Sequence, residues 1–341
     1  MPTMEGPILR LTDVSKEFTV RSGRGALAPR STLRAVDRAT LEIGYGETFA
    51  LVGESGSGKS TLGRLAVGLL PVTSGTVEFE GEELTAMSKA QLRARRRRMQ
   101  VVFQDPLGSL NPRMSVGDII AEPLRVFEGL RGAALEERVT ELLEQVGLNP
   151  ARRTARPRAM SGGQRQRVGI ARAIALNPSL ILADEAVSAL DVSVQAQITN
   201  LMVDLRERLG LSYLFIAHGL PIVRHIAQRV GVMYLGRLVE VGPTEQIFAD
   251  PQHPYTRALL AASPVPDPAL KRERILLKGE PPSAMNLPSG CRFRTRCPIA
   301  QDVCAEVAPP RVVVGAAEVE CHFPGAPVAD ADSPQLIGAT S

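Results

Sequence analysis

The first 290 residues contain no cysteine; all four cysteines of this 341-residue chain fall between Cys291 and Cys321. Thiol chemistry is thereby excluded from most of the molecule, and the cluster itself needs a cause. Lysine is nearly as scarce. Only Lys16, Lys59, Lys89, Lys271 and Lys278 stand among 40 cationic residues, so a lysine inside a motif carries more weight than usual. No stretch approaches the roughly 18 consecutive apolar residues of a membrane span. Met1 to Lys16 mixes charges with single apolar residues and lacks the apolar block of a signal peptide. A cytosolic chain, or one held at a membrane by other proteins, is expected. Forty cations against 36 acidic residues leave a net charge of +4, weak support for a nucleic-acid partner. Length and a 44% hydrophobic content suit one large domain with an appendage, or two domains.

Residues 8–20 alternate apolar and polar, as in a half-buried strand. Residues 23–31 are rich in Gly, Pro and Arg and read as a loop. Further strands are expected at 33–43, 48–52, 76–80, 99–104, 179–183 and 211–217, and helices at 60–70, 115–150, 162–176 and 192–209. Strands alternating with helices argue for a parallel α/β core. Eight prolines between 251 and 290 mark a domain boundary or an extended wrap, and the end of the chain, small and polar, reads as disordered.

Gly53-Glu54-Ser55-Gly56-Ser57-Gly58-Lys59-Ser60-Thr61 is a complete phosphate-binding loop between a buried strand and a helix. Its glycines let consecutive N–H groups turn toward phosphate oxygens, and the helix N-terminus adds positive potential. Lys59 would reach the β- and γ-phosphates and the Ser60 hydroxyl would complete a Mg²⁺ shell. The alternative is a Gly/Ser turn with a chance lysine. Downstream, the apolar run Ser179–Ala183 ends in two carboxylates: Asp184 to hold Mg²⁺ through water, Glu185 to orient the attacking water. Neighbouring side chains at a strand end point opposite ways, so the two can hold different roles. His218 also follows a buried run, at the sheet edge where ligands of open α/β sheets collect, and could hold the γ-phosphate.

Together with Gln104 after its strand, Met160-Ser161-Gly162-Gly163-Gln164, and Ser188-Ala189-Leu190-Asp191, this ordered set resembles the ATP-binding-cassette (ABC) ATPases over roughly residues 8–250. The resemblance implies a P-loop NTPase core of RecA type with an antiparallel β subdomain and an α-helical subdomain at about 105–177. It implies ATP sandwiched in a head-to-tail dimer, with Ser161, Gly162, Gly163 and Gln164 facing the γ-phosphate held by the partner's loop. It assigns Gln104 to Mg²⁺ and water, Asp191 to the dimer contact, His218 to the γ-phosphate and Phe18 to adenine stacking. This chain departs from the family pattern at Met160 (usually Leu), Ala186 (usually Pro) and Gly219 (usually Asp). None of the three removes a phosphate-, Mg²⁺- or water-handling group, so a competent ATPase site is expected.

Gln104-Asp105-Pro106, Ser109-Leu110-Asn111-Pro112-Arg113, His253-Pro254-Tyr255-Thr256-Arg257 and Cys291-Arg292-Phe293-Arg294-Thr295-Arg296-Cys297 narrow the resemblance to the oligopeptide, dipeptide and nickel importer ATPases, nearest the F-type subunit. That implies a cassette over 1–250, a C-terminal region with the cysteines over 251–325 and a tail at 326–341. The implied partners are a second, different ATPase, two permeases and an extracytoplasmic solute-binding protein, with this subunit peripheral on the cytoplasmic face of the membrane. Cys291, Cys297, Cys304 and Cys321 lie at C-x5-C-x6-C-x16-C. Four thiolates suit zinc or an iron–sulfur cluster. The spacing lacks paired C-x2-C, and the resemblance favours a 4Fe-4S cluster, with zinc or no metal as alternatives. A nucleic-acid ATPase finds support only in the basic run Arg93–Arg98, which a solvated edge explains equally well. A regulatory, non-hydrolysing cassette is opposed by Glu185 and His218. Peptide, nickel and other small solutes are not separable in this chain, because specificity would reside in its partners.

Overall fold

The computed structural model describes residues 6–21, 30–105, 108–217, 219–262, 277 and 279–327. His218, most of the loop at 23–31 and residues 328–341 of the expected tail lie outside them. The element order is β1 (Leu9–Arg21), β2 (Arg30–Ile43), β3 (Thr48–Val52), α1 (Lys59–Ala66), β4 (Ser74–Phe79), β5 (Glu82–Glu83), α2 (Lys89–Arg95), β6 (Met99–Val102), α3 (Val116–Pro123), α4 (Gly132–Gln145), α5 (Gly162–Ile174), β7 (Leu180–Asp184), α6 (Val192–Leu209), β8 (Ser212–Ile216), α7 (Leu220–Ile226), β9 (Arg229–Tyr234), β10 (Arg237–Pro243), α8 (Thr244–Ala249), α9 (Pro254–Ala261), α10 (Val303–Glu306), β11 (Arg311–Val314) and β12 (Ala317–Glu320).

β1, β2, β4 and β5 form an antiparallel sheet ordered β2-β1-β4-β5. The second sheet runs β11-β12-β10-β9-β3-β8-β7-β6. Its centre is parallel, from β9 through β3, β8 and β7 to β6. Both faces of that centre are covered, which is why β3, β7 and β8 read as unbroken apolar runs rather than alternating ones. Phe49, Leu51, Leu182, Leu214 and Ile216 pack with Leu62 and Leu65 of α1 against the antiparallel sheet. Ala50, Val52, Ile181, Tyr213 and Phe215 point the other way, into a core shared with α3 to α7.

The expected P-loop α/β architecture is therefore present, with one correction. The single helix expected over 115–150 is broken: α3 ends at Pro123, a π turn spans Leu124–Glu128, and Gly129 reverses the chain at φ 67° before α4. Proline removes a helical N–H and the left-handed glycine ends the ladder, so one amphipathic stretch becomes two helices packed on α5.

The chain's last described strands do not stand apart. β12 pairs antiparallel with β10, extending the cassette's own sheet. Arg237 bridges the same junction, bonding Asp37 at 3.1 Å and Glu320 at 2.6 Å, and Arg292 also pairs with Asp37. Burial alone would raise the Asp37 pKa, but Arg292 and Arg237 outweigh it and hold the carboxyl below its ordinary range.

Candidate active site

β3 delivers the chain to the phosphate loop at the C-terminal edge of the parallel strands, and α1 begins directly at Lys59. The α1 N-cap is Gly58, at φ +105°; a Cβ there would lie 2.3 Å from the Ala35 carbonyl oxygen. Only glycine fits that close approach. Lys59 folds back over its own loop, donating to the Gly53 carbonyl at 2.8 Å, the Glu54 carbonyl at 2.9 Å and Ser57 Oγ at 3.4 Å. Burial pushes its pKa down, while the carboxylates of Glu185, Asp184 and Glu54 pull it back up. The ammonium is thus held by carbonyls, which are weaker partners than phosphate oxygens.

The two strand-end carboxylates separate as the alternation of a strand requires. Asp184 faces α1, accepting from Ser60 Oγ at 2.7 Å and from Arg64 at 3.3 Å. Glu185 adopts φ +52°, unusual for a residue with a side chain, and lines the cavity over the loop. Its backbone is fixed from both sides: its N–H donates to the Ile216 carbonyl, and its carbonyl accepts from the Ser188 N–H and hydroxyl. Buried on a strained turn yet open to a cavity, Glu185 has the placement of a group aimed at a reacting centre.

That cavity, of about 570 Å³, is lined by Phe18, Leu33, Glu54 to Thr61, Glu185 and Tyr234, and also by Pro281, Pro282 and Ala284 from the C-terminal region. Phe18 is half-buried in β1 with the Lys16 ammonium 5.2 Å from its ring centroid. An aromatic wall at one end and a loop of N–H donors with a lysine at the other suit a base joined to a polyphosphate.

Other expected site residues lie elsewhere. Gln104, Ser161 to Gln164 and Asp191 do not line the cavity. Ser161 caps α5, its Oγ accepting from the Gln164 N–H while Gln164 Oε1 accepts from the Ser161 N–H. Asp191 caps α6 through the Val194 N–H and the Ser193 hydroxyl, bonds that lower its pKa. The two caps are neighbours: a Cβ on Gly163 would lie 2.6 Å from Val194 of α6. The small-residue helix start therefore forms a second surface with the Asp191 turn, separate from this chain's own phosphate loop. Gln104 is exposed just beyond β6.

All four cysteines are free. Burial foremost raises Cys291 to about 11, Cys297 to about 12 and also raises Cys321, with the other sulfurs' charges adding in each case. The Cys291 N–H donates to the Cys304 carbonyl at 2.8 Å. Two of the four, Cys291 and Cys304, are thereby neighbours in the fold. Among the described residues, however, no group of three or more His, Cys, Asp or Glu is gathered closely enough to hold a metal ion, so the expected metal centre is not supported as a preformed ion site.

Four of the five arginines in the basic run are paired within the molecule. Arg95 pairs with Glu82, Arg98 with Glu80 and Arg97 with Glu128, and Arg96 donates to the Gly68 carbonyl. What the sequence reading missed lies after residue 250. Tyr255 accepts from the Glu54 N–H at 2.8 Å, and Arg296 makes a two-pronged ion pair with the Glu54 carboxylate at 2.8 and 3.0 Å. Both residues belong to phrases that carried the family resemblance, which was the available signal.

A family model described as "ABC transporter" matches residues 36–188, and one described as "Oligopeptide/dipeptide transporter, C-terminal region" matches 239–304. The probable peptide ABC transporter ATP-binding protein y4tS of Sinorhizobium fredii is 49% identical over 337 residues, covering 98% of this chain and 95% of that protein. The oligopeptide transport ATP-binding protein OppF of Escherichia coli is 50% identical over 306 residues, covering 89% and 92%. Among solved structures, the dimeric post-hydrolysis state of the ATP-binding cassette MJ0796 bound to ADP and Pi superposes with a TM-score of 0.61 at 28% identity, over 69% of this chain and 98% of that one. Clostridium perfringens cbiO1, part of the ABC transporter complex cbiONQ, gives 0.63 at 26% identity over 72% and 92%.

Proposed function

This chain belongs to the ABC transporter ATPases, in the oligopeptide/dipeptide branch, and on that premise we propose that it hydrolyses ATP at the Lys59 loop to energise peptide import. One observation carries the reading: the phosphate loop and Glu185 line one cavity, with Asp184 bonded to the loop's Ser60, while the Ser161–Gln164 helix start does not line it. A site split in this way is completed by a second subunit.

ATP bound here would place its base near Phe18 and its phosphates along residues 54–61. Lys59 exchanges the Gly53 and Glu54 carbonyls for phosphate oxygens, a charge-assisted replacement that favours the nucleotide. Ser60 and Asp184 are the residues that would hold Mg²⁺, which neutralises charge on the phosphates. Glu185 orients the water that attacks the γ-phosphorus; the bond to the ADP oxygen breaks, and the proton leaves through Glu185 to solvent with the phosphate product. The family resemblance supplies the roles of His218 at the γ-phosphate and Gln104 at the water. It also supplies a different ATPase as the subunit that presents its own small-residue helix start to this loop.

The assembly we infer has two permeases and an extracytoplasmic binding protein, with this subunit on the cytoplasmic face. Among the described residues no helix is long and apolar enough to cross a membrane, and the pore is assigned to other chains. The four cysteines we assign to an iron–sulfur cluster rather than a single ion. In support, the four cysteines are all free thiols and all fall between Cys291 and Cys321. Anaerobically purified protein should contain iron and acid-labile sulfide; colourless protein binding zinc stoichiometrically would overturn that assignment.

The central test is Glu185→Gln in the co-purified complex. Turnover should vanish while ATP still drives association of the two ATPases. A wild-type complex that binds ATP and never hydrolyses it would refute the enzyme reading.

A further inference from the structure

The phosphate loop of this chain is gripped from outside the cassette motifs. Glu54 is the second residue of that loop, and all three of its polar groups are engaged. Its carbonyl takes Lys59 Nζ at 2.9 Å. Its N–H donates to Tyr255 Oη, and its carboxylate accepts both prongs of the Arg296 guanidinium, 242 residues away in sequence. Only the first of these partners is part of the loop; the other two come from beyond residue 250.

The grip is buried on its C-terminal side, while the Glu54 side chain stays 30% exposed toward the cavity. The Arg296 side chain is 7% exposed, and Tyr255 is fully buried. Tyr234, Tyr255 and Phe293 form an aromatic cluster with ring centroids 4.7 to 5.5 Å apart, and the guanidinium lies 5.9 Å from the Tyr234 ring centroid. A half-buried ion pair adds little net stability, since desolvation offsets attraction, but its fork geometry fixes orientation. It also has an electrostatic consequence. An unpaired carboxylate on a loop that receives a polyphosphate would repel it, and Arg296 cancels that charge where it stands.

We propose that Arg296 and Tyr255 are positioning residues for nucleotide binding: the C-terminal region sets Glu54, and through its carbonyl the resting place of Lys59. Pro281 and Pro282 in the cavity wall show the same region reaching the site a second time. Arg296 and Arg292 each adjoin a cysteine, so the cysteine-bearing segment is the frame from which the loop is held. This inference rests on the ATP reading above.

The test uses the full-length chain, with MgAMP-PNP affinity measured by titration calorimetry and thermal unfolding recorded for every variant. Arg296→Ala should weaken binding roughly tenfold, and Arg296→Lys should recover part of the loss by restoring charge without the fork. Adding Glu54→Gln to Arg296→Ala should cost less than the two single losses combined, because the stranded carboxylate is gone. Gln246→Ala, which cuts the hydrogen bonds from α8 to Val314 and Ala316 and removes no residue that lines the cavity, should lower the melting temperature and leave affinity unchanged. Unaltered affinity in Arg296→Ala, additive losses in the double variant, or an equal loss in Gln246→Ala would each overturn the proposal. A wild-type chain that binds no nucleotide would instead overturn the ATP reading beneath it.

Discussion

Alanine at Gly58 should damage the phosphate loop far more than alanine at Gly56, although both glycines occupy the left-handed region. Gly56 is at φ +77°, with nothing within 4 Å of an added Cβ. Its substitution meets only the backbone term, about 1–2 kcal/mol. Gly58 is at φ +105°, and its added Cβ would lie 2.3 Å from the Ala35 carbonyl oxygen and 3.0 Å from Met233 Cε. The methionine can swing aside. The carbonyl belongs to β2 and moves only if the strand moves, adding about 1–3 kcal/mol of overpacking. The difference between the variants, about 2 kcal/mol, corresponds to a melting-temperature gap of roughly 3 °C for a folding unit of this size. Function should diverge further. Gly58 caps α1, so the shift it forces displaces the N–H groups and Lys59 together, and a misplacement of about 1 Å can cost ~100-fold. Circular dichroism melts and nucleotide titrations of the two variants provide the assay. Equal melting temperatures and equal affinities would refute the argument, because the Ala35 contact would then not exist in solution.

Ser60→Ala should leave the melting temperature of the nucleotide-free protein almost unmoved, because Arg64 still reaches Asp184 at 3.3 Å. The tightening of ATP binding by Mg²⁺ should collapse, and calorimetry that finds it intact would remove Ser60 from the metal site. Asp37 makes a pH-dependent contribution whose sign follows from its environment. Its carboxyl is held below its ordinary value of 3.8 by Arg292 and Arg237, which outweigh burial, so the stability it supplies is present above that value and lost as the pH falls through its folded pKa. Asp37→Asn should therefore destabilise the protein at neutral pH, with the gap from wild type narrowing only below pH 3.8 in urea titrations. A gap that is already closed at about pH 6 would show that the Arg292–Asp37–Arg237 network does not form.

The parts of this fold that were legible are those in which a local pattern has one physical cause. β3, β7 and β8 read as buried strands because both faces of each are covered. Helix α6 was expected over 192–209 and spans Val192–Leu209, because Asp191 caps its start and Gly210, at φ 66°, ends it. The 115–150 stretch was misread because amphipathic periodicity continues across Pro123 and Gly129, and periodicity alone does not count hydrogen bonds. β11 and β12, four residues each, carry too little pattern to be read, and β10, on which β12 pairs, lies almost 80 residues earlier in the chain.

The candidate site divides along the same line. The loop, Asp184 and Glu185 are visible because phosphate chemistry fixes residue type and spacing, and the fold brings them together: Ser60 bonds Asp184, and Glu185 lines the cavity over the loop. Glu54 was visible only as a permitted residue: the loop pattern places no demand on its second position. Its constraint comes from Arg296 and Tyr255, long-range partners with no fixed spacing to it. A motif thus records what the ligand demands of a loop, while what the rest of the chain demands of that loop is written in unconstrained positions. In this ATPase the second demand is met by the C-terminal region, whose Tyr255 and Arg296 hold the backbone and the side chain of the loop's second residue at once.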